Sequence, residues 1–426
     1  MKPTILQGHT RPIKSIKLSL DGMHIFSASL DRTINCWDIQ KKVCVKSFTH
    51  YAAINCFYLS KCGKILISGD NTGTIYIWDI EKVQIMITLE GNPVEIINSV
   101  FLNSTNEVLL VTFSGRGKNS PSFLKCYAFK FLMNIHSKNE KEINDKIKLE
   151  SEENTGNNDK IDSQSIYDLN SPFNNDKKNK KKDVKIDKTI ETKLKLHEIK
   201  ELCKFDSLNS KFVHAVYVEN DKYILSIKEN GFIELLNSVT GKVLVDKQVH
   251  EDIILDMDVN ETMRYILTAS RDGFCNLISL DTFDYIHKFN PTNPTRNINC
   301  CRLMEIDNPF YNHQKVDLDQ LFIDEKIKTD DNDKFKNLRS NVKLRLALFS
   351  GGQDSKLVTN THKEEGGFEI LAYELETGVR LLNIESHFGP VTALGCLPYN
   401  QTLISGSEDS SVRTYEIYDY IKSLEN

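Results

Sequence analysis

Serine, histidine and aspartate recur along this chain at a fixed spacing. His9, His50, His250 and His387 are each followed, eighteen residues on, by a hydroxyl residue: Ser27, Ser68, Thr268 and Ser405. In three of these four sets an aspartate stands four residues further, as Asp31, Asp272 and Asp409. A histidine that takes the proton of a hydroxyl, oriented by a carboxylate, is the arrangement that makes a serine nucleophilic for acyl transfer. Such a set occurs once in a catalytic domain, whereas this one repeats. Two sets also carry a tryptophan ten residues beyond the hydroxyl, Trp37 and Trp78, and these are the only two tryptophans in the 426 residues. The spacing therefore marks a repeated structural unit.

The unit must position these residues. In the first, Ile13 to Leu18 alternates in strand fashion, Asp21-Gly22 is a tight-turn signal, and His24 to Ser29 is a second strand. Leu30-Asp31-Arg32 turns, Thr33 to Trp37 is a third strand, and Val43 to Phe48 a fourth. Four short antiparallel strands per repeat of about 40–45 residues is the pattern of a propeller blade. The chemistry then reads as bracing. A buried Trp37 indole N–H needs an acceptor, which Ser27 supplies; Ser27 donates to His9, and His9 to Asp31. Every polar group in such a chain is satisfied. Blade one alone is complete. Blade two has Thr72 in the aspartate slot, blade five has Ile278 in the indole slot, and blade seven has Tyr415 there.

The same pattern predicts seven blades. Blade three uses strands near 96–102, 107–113 and 123–129; blade four near 212–218, 223–227, 232–236 and 243–249. Blade five begins at His250, blade six near Arg296, and blade seven at His387. Blade seven lacks a fourth strand, and residues 3–7 belong to no blade, so the N-terminal segment is expected to close the ring as that missing strand. Closure removes open sheet edges. The fold class is all-β, a seven-bladed propeller closed by the N-terminal strand, with two low-complexity loop insertions. The segments are 1–133 (blades one to three, with 2–7 completing blade seven), 134–193 (insertion), 194–306 (blades three to six), 307–340 (insertion in blade six) and 341–426 (blades six and seven and a tail). The first insertion is rich in Lys, Asn, Asp, Glu and Ser and is expected to be disordered, with 194–202 rejoining the sheet. Its lysine-rich run 177–182 reads as a solvated stretch, with nuclear import or RNA contact as the functional alternatives. The second insertion holds Leu318 and Leu321-Phe322-Ile323, enough for a short helix.

Composition narrows the function classes. A hydrophobic fraction of 40% supplies ample core. The net charge of −5, from 54 basic and 59 acidic residues, is too balanced to imply a nucleic-acid or membrane partner. The N-terminus opens no apolar run of signal-peptide length, and no stretch approaches the ~18 apolar residues of a membrane span. The ten cysteines contain no C-x-x-C pair, which argues against a zinc site or disulfide framework and for a reduced, intracellular setting. Gly115-Arg116-Gly117-Lys118 lacks the upstream glycine of a phosphate loop, and no H-E-x-x-H, G-x-S-x-G or calcium-loop pattern is present. No cofactor, metal or enzyme activity is expected; a propeller without such residues serves as a binding platform.

A second set of residues is more particular. Ser350-Gly351-Gly352-Gln353-Asp354 is followed by Val358-Thr359-Asn360-Thr361, Gly366-Gly367-Phe368-Glu369 and Ser386-His387-Phe388-Gly389-Pro390-Val391. This order closely resembles subunit I of eukaryotic translation initiation factor 3, a seven-bladed WD-repeat family. Leu6-Gln7-Gly8-His9 and Thr268-Ala269-Ser270-Arg271-Asp272 agree with it, and the likeness covers most blades outside the insertions. Ser350, Asp354, Asn360 and Ser386 depart from the family pattern, and Trp37-Asp38 stands where Trp-Tyr is common.

The resemblance implies a non-catalytic, cytoplasmic scaffold of the initiation factor 3 assembly. That assembly supports formation of the 43S and 48S preinitiation complexes, messenger RNA recruitment and scanning. It implies subunits B and G as partners, with the small ribosomal subunit and mRNA reached indirectly and no membrane contact. On the matching strand 274–279, Leu277 becomes the apolar docking contact, with Ser279 where an acidic residue is common. The competing reading is a WD-repeat adaptor of another complex, of the receptor-kinase-associated type that joins small-nuclear-ribonucleoprotein assembly. The extended Gln353–Thr361 loop distinguishes the two.

Overall fold

Alternating apolar residues, four runs to a repeat, give strands buried on both faces in the middle of each blade and exposed only at its outer edge. The computed structural model describes residues 3–117, 120–128, 200–207, 210–290, 297–308, 343–353, 367–385, 387–397, 401–418 and 421. The chain divides into two units, 1–128 with 200–426, and 129–199. The insertion 134–193 with its 177–182 lysines, the 309–342 part of the second insertion, and the loop 354–366 lie outside the described residues.

The first unit holds seven four-stranded antiparallel sheets. Blade one is β2 (Ile13–Leu18), β3 (His24–Ser29), β4 (Thr33–Asp38) and β5 (Val43–Thr49). Blade two is β6 (Ile54–Leu59), β7 (Ile65–Asp70), β8 (Ile75–Asp79) and β9 (Gln84–Leu89). Blade three is β10 (Glu95–Leu102), β11 (Val108–Gly115), β12 (Ser122–Ala128) and β13 (Lys200–Ser207). Blade four is β14 (Phe212–Val218), β15 (Tyr223–Lys228), β16 (Phe232–Asn237) and β17 (Val243–Gln248). Blade five is β18 (Ile254–Asn260), β19 (Tyr265–Ser270), β20 (Cys275–Ser279) and β21 (Tyr285–Phe289). Blade six is β22 (Asn297–Asp307), β23 (Lys343–Gly352), β24 (Glu369–Glu374) and β25 (Arg380–Glu385). Blade seven is β26 (Val391–Leu397), β27 (Thr402–Ser407) and β28 (Val412–Glu416), completed by β1 (Thr4–Leu6), which pairs antiparallel with β28 in the register Leu6↔Val412. The innermost strands follow one another in a closed ring, β26 packing on β2.

The outer strand of blade three is Lys200–Ser207, which takes in the last residues of the expected 194–202 segment and runs five residues beyond it; residues 194–199 lie outside the described residues. The inward-facing apolar residues of that strand are Cys203 and Phe205, whereas Leu202 is exposed. The core lies between blades. Ile13, Ile16 and Trp37 of blade one pack with Ile404 and Val412 of blade seven and with Leu6 of the closing strand. Phe26 and Phe48 of blade one pack with Phe57 and Trp78 of blade two. Among the described residues no helix is long and apolar enough to cross a membrane.

Candidate functional site

The histidine sets form at the junction between the loop entering a blade and the turn after its second strand. In blade one the Trp37 indole N–H donates to Ser27 Oγ at 2.8 Å. Ser27 Oγ and His9 Nε2 are 2.7 Å apart, and His9 Nδ1 lies 2.9 Å from Asp31 Oδ2. One direction of donation satisfies all four groups: indole to serine, serine to Nε2, Nδ1–H to the carboxylate. Asp31 also accepts the backbone N–H groups of Thr10 at 3.0 Å and Thr33 at 2.9 Å and the Thr33 hydroxyl at 2.6 Å. Burial works against ionising Asp31, but the bonds from Thr33, Thr10 and His9 outweigh it and hold its carboxyl below the ordinary range. Gly8 makes room for this set, since a Cβ there would stand 2.8 Å from the Trp37 ring.

The other sets use the same skeleton. His250 Nε2 lies 2.9 Å from Thr268 Oγ1 and Nδ1 2.9 Å from Asp272. His387 pairs with Ser405 at 2.7 Å and with Asp409 at 2.9 Å. Asp272 and Asp409 are likewise held low: burial opposes ionisation, but their histidines and the turn's hydrogen bonds outweigh it. Burial lowers His387, partly offset by Asp409. In the two indole slots lacking tryptophan, Ile278 and Tyr415 are buried instead.

Blade two differs in an instructive way. His50 Nε2 meets Ser68 at 2.7 Å, and the Trp78 indole donates to Ser68 at 3.2 Å. Thr72 does not reach the histidine; His50 Nδ1 faces the Phe48 carbonyl at 3.2 Å instead. With no carboxylate bonded to the ring, burial outweighs the Phe48 carbonyl and the charge of Asp70 and pushes His50 down to about 4. The turn's carboxylate has moved two residues earlier, to Asp70, which accepts from the Thr72 N–H and hydroxyl and from the Thr74 N–H.

These sets are inaccessible to a substrate. Ser27, Ser68, Thr268 and Ser405 are all fully buried, as are their histidines or nearly so. Among the described residues no group of His, Cys, Asp and Glu is disposed to hold a metal ion.

A second polar system, invisible to the spacing argument, lines the inner strands. Each has an edge facing the channel, whose backbone groups need partners. Asn98 Nδ2 of blade three donates to the Phe212 carbonyl of blade four at 2.7 Å, and Asn299 of blade six to the Val391 carbonyl of blade seven at 3.1 Å. Asn55 reaches the Ile97 carbonyl at 3.4 Å, and the Thr392 hydroxyl donates to the Ile13 carbonyl across the closure. Between blades five and six the polarity reverses. Asp256 accepts the Cys301 N–H at 3.1 Å and Asp258 the Leu303 N–H at 2.7 Å, and Arg302 pairs with Asp256 at 2.7 Å. Burial raises Asp258 and lowers Lys17, which share this region. Four of these residues (Asn55, Asn98, Asn299 and Thr392) share one irregular position: each is the inner-strand residue skipped where the register with the second strand shifts. A polar residue at that offset is the signal that could have found them.

Leu277 cannot serve as a docking contact. It is fully buried on the third strand of blade five, packed with Phe289 of its own blade and Phe349 and Tyr373 of blade six. A third strand is flanked by strands on both edges and by blades on both faces, so its apolar residues build core. Ser279 is only partly buried, and its hydroxyl accepts from the Asp281 and Thr282 N–H groups at 3.3 Å in the turn that follows. The apolar side chains this flank exposes lie on outer strands: Tyr285 and Ile286 of blade five, and Val243 and Leu244 of blade four.

Sheet number, closure and bracing together define the class: a seven-bladed WD-repeat β-propeller. The profile of the WD domain, G-beta repeat family matches residues 2–38, 42–79 and 378–416. Each match takes the outer strand of one blade and the three inner strands of the next, and each ends one residue past an aromatic in the indole slot: Trp37, Trp78 or Tyr415. Over its whole length the chain is similar to eukaryotic translation initiation factor 3 subunit I of Kluyveromyces lactis, 22% identical with 97% of that relative covered. The Homo sapiens protein of the same name is 23% identical over 97% of this chain and 96% of its own. That of Eremothecium gossypii is 26% identical over 47% of this chain, a match spanning about half (46%) of that relative's length.

Proposed function

We propose that this chain is a non-catalytic, cytoplasmic scaffold subunit of a translation initiation factor 3 assembly, joined to the subunits B and G and through them to the small ribosomal subunit and mRNA. In this role it supports preinitiation-complex formation and scanning by protein contacts alone. The observation that carries the reading is full-length similarity to relatives of that single name from fungi to Homo sapiens, insertions notwithstanding. The buried state of all four Ser/Thr–His sets agrees, because it leaves them no access to a substrate. The blade four and five flank, with Tyr285, Ile286, Val243 and Leu244 exposed, is the docking surface for the B-type partner. It replaces the Leu277 and Ser279 contact, and an apolar stripe of this kind suits the face of an amphipathic helix.

Affinity purification of the tagged chain followed by mass spectrometry tests the assignment. Recovery of the other subunits of the factor is expected; recovery of a different stable complex in their place overturns it. Tyr285→Asp with Ile286→Asp is expected to weaken that recovery at least tenfold without altering the melting curve, since both side chains are surface-exposed.

A further inference from the structure

Blade three carries two cysteines, far apart in sequence, that the sheet brings face to face. Cys126 on β12 and Cys203 on β13 are direct partners in an antiparallel register. Directly opposed residues in such a pair have Cα atoms about 4.5–5.5 Å apart, inside the roughly 4.4–6.8 Å that a disulfide spans. Their side chains share one face, both packed against the core between blades three and four. Tyr217 Oη donates to Cys126 Sγ at 3.5 Å. The register slips just beyond, between Cys126 and Tyr127, and such a bulge loosens the local ladder. Cys126 is buried, whereas Cys203 is partly open to solvent, so one thiol of the pair can meet a small oxidant.

The other close thiols lack this combination. Cys275 and Cys301 share a core cluster but sit on different blades and are both fully buried; Cys44 and Cys62 are exposed single thiols on separate blades. The two strands bearing Cys126 and Cys203 are those that bracket the 129–199 unit, with Ala128 paired to Lys200 at their ends.

We propose that Cys126 and Cys203 are a modification site for peroxides, closing into a cross-strand disulfide that joins the two strands flanking residues 129–199. The Cys203 sulfur attacks a peroxide oxygen, the O–O bond breaks, and Cys203 sulfenic acid and water result. The Cys126 sulfur then displaces the sulfenic hydroxyl, which leaves as water with the Cys126 thiol proton. Two thiols are oxidised to one disulfide and one hydrogen peroxide is reduced to two waters. Burial pushes the Cys126 thiol up to about 12, so peroxide does not oxidise it first; its place directly opposite Cys203, not its acidity, makes it the resolving thiol.

The test uses the full chain carrying Cys44→Ser and Cys62→Ser, so that the exposed thiols cannot link two copies. It is treated with hydrogen peroxide, alkylated, digested without reductant and mapped by mass spectrometry. A linked peptide holding Cys126 and Cys203, the loss of two alkylatable thiols per chain, and recovery of both on reduction are expected. Adding Cys203→Ser should abolish the linked peptide while leaving the melting curve unchanged. Both thiols remaining free, Cys203 passing to sulfinic acid without a link, or Cys126 linked to another cysteine would each overturn the proposal.

Discussion

The Ser27 hydroxyl accepts from an indole and donates to His9, and His9 spends its second nitrogen on Asp31, so each group of the set satisfies another. Removing the carboxylate strands a buried ring N–H and two backbone donors together. Asp31→Ala is therefore expected to cost roughly 1–3 kcal/mol, read as a shift in the denaturant midpoint. An unchanged midpoint would sink the bracing role. His50 gives a second, pH-dependent test. Its folded-state value, about 4, lies below the ~6.5 of an unfolded histidine, so folding favours the neutral ring. The resulting stability is complete above pH ~6.5 and is lost as pH falls toward 4, on the order of 3 kcal/mol in all. Unfolding free energies at pH 7.5 and 4.5 should therefore converge for His50→Gln relative to wild type. The three depressed aspartates act in a separate, lower window, below the ordinary carboxylate range. At this scale the braces were legible because their spacing repeats. Asp70 was not, because its carboxylate does the turn's work from a position two residues early, which only the fold of the turn reveals.

Strands were legible wherever a run alternated between turn signals, and least so where the chain interrupts a blade. The outer strand of blade three, Lys200–Ser207, turns Cys203 and Phe205 to the core while Leu202 is exposed, a phase that the polar run before it does not announce. Leu277 illustrates the opposite failure. A motif can identify the strand, but only the packing of blades five and six shows that its side chain points into core. The inner-strand links belong to the same class, since each joins residues of neighbouring blades, 114 positions apart for Asn98 and Phe212 and 379 for Thr392 and Ile13. Asn98 donates to the Phe212 carbonyl and also to Ser114 Oγ at 2.9 Å. Asn98→Leu leaves that carbonyl without its partner at the junction of blades three and four. A loss of about 1–3 kcal/mol is expected, and hydrogen exchange should rise first at the amides of β10 and β14. Uniform exchange across all seven blades would show that the link is not local.

For the propeller as a whole, the decisive contact joins the first strand to the last. Residues Thr4–Leu6 form three register pairs with β28, and Leu6 enters the cluster that holds Ile13, Trp37, Ile404 and Val412. Without β1, blade seven has three strands, and β28 presents a row of unpaired N–H and C=O groups over a core missing one apolar residue. An open edge of that kind pairs with other chains. Deleting residues 1–7 is therefore expected to do two separable things: lower the melting temperature, from lost burial of Leu6, and drive self-association, from the bare edge. Light scattering on the truncated chain should show oligomers at concentrations where the full chain is monodisperse. A synthetic peptide spanning residues 2–8, added in trans, should suppress them by supplying the missing strand. The same peptide with Leu6→Asp should fail, because it keeps the backbone pairing but cannot fill the cluster. A monodisperse truncation with an unaltered melt would mean that blade seven is complete without its N-terminal strand, and the ring would then be held by the Thr392 to Ile13 link and the blade seven to blade one core alone.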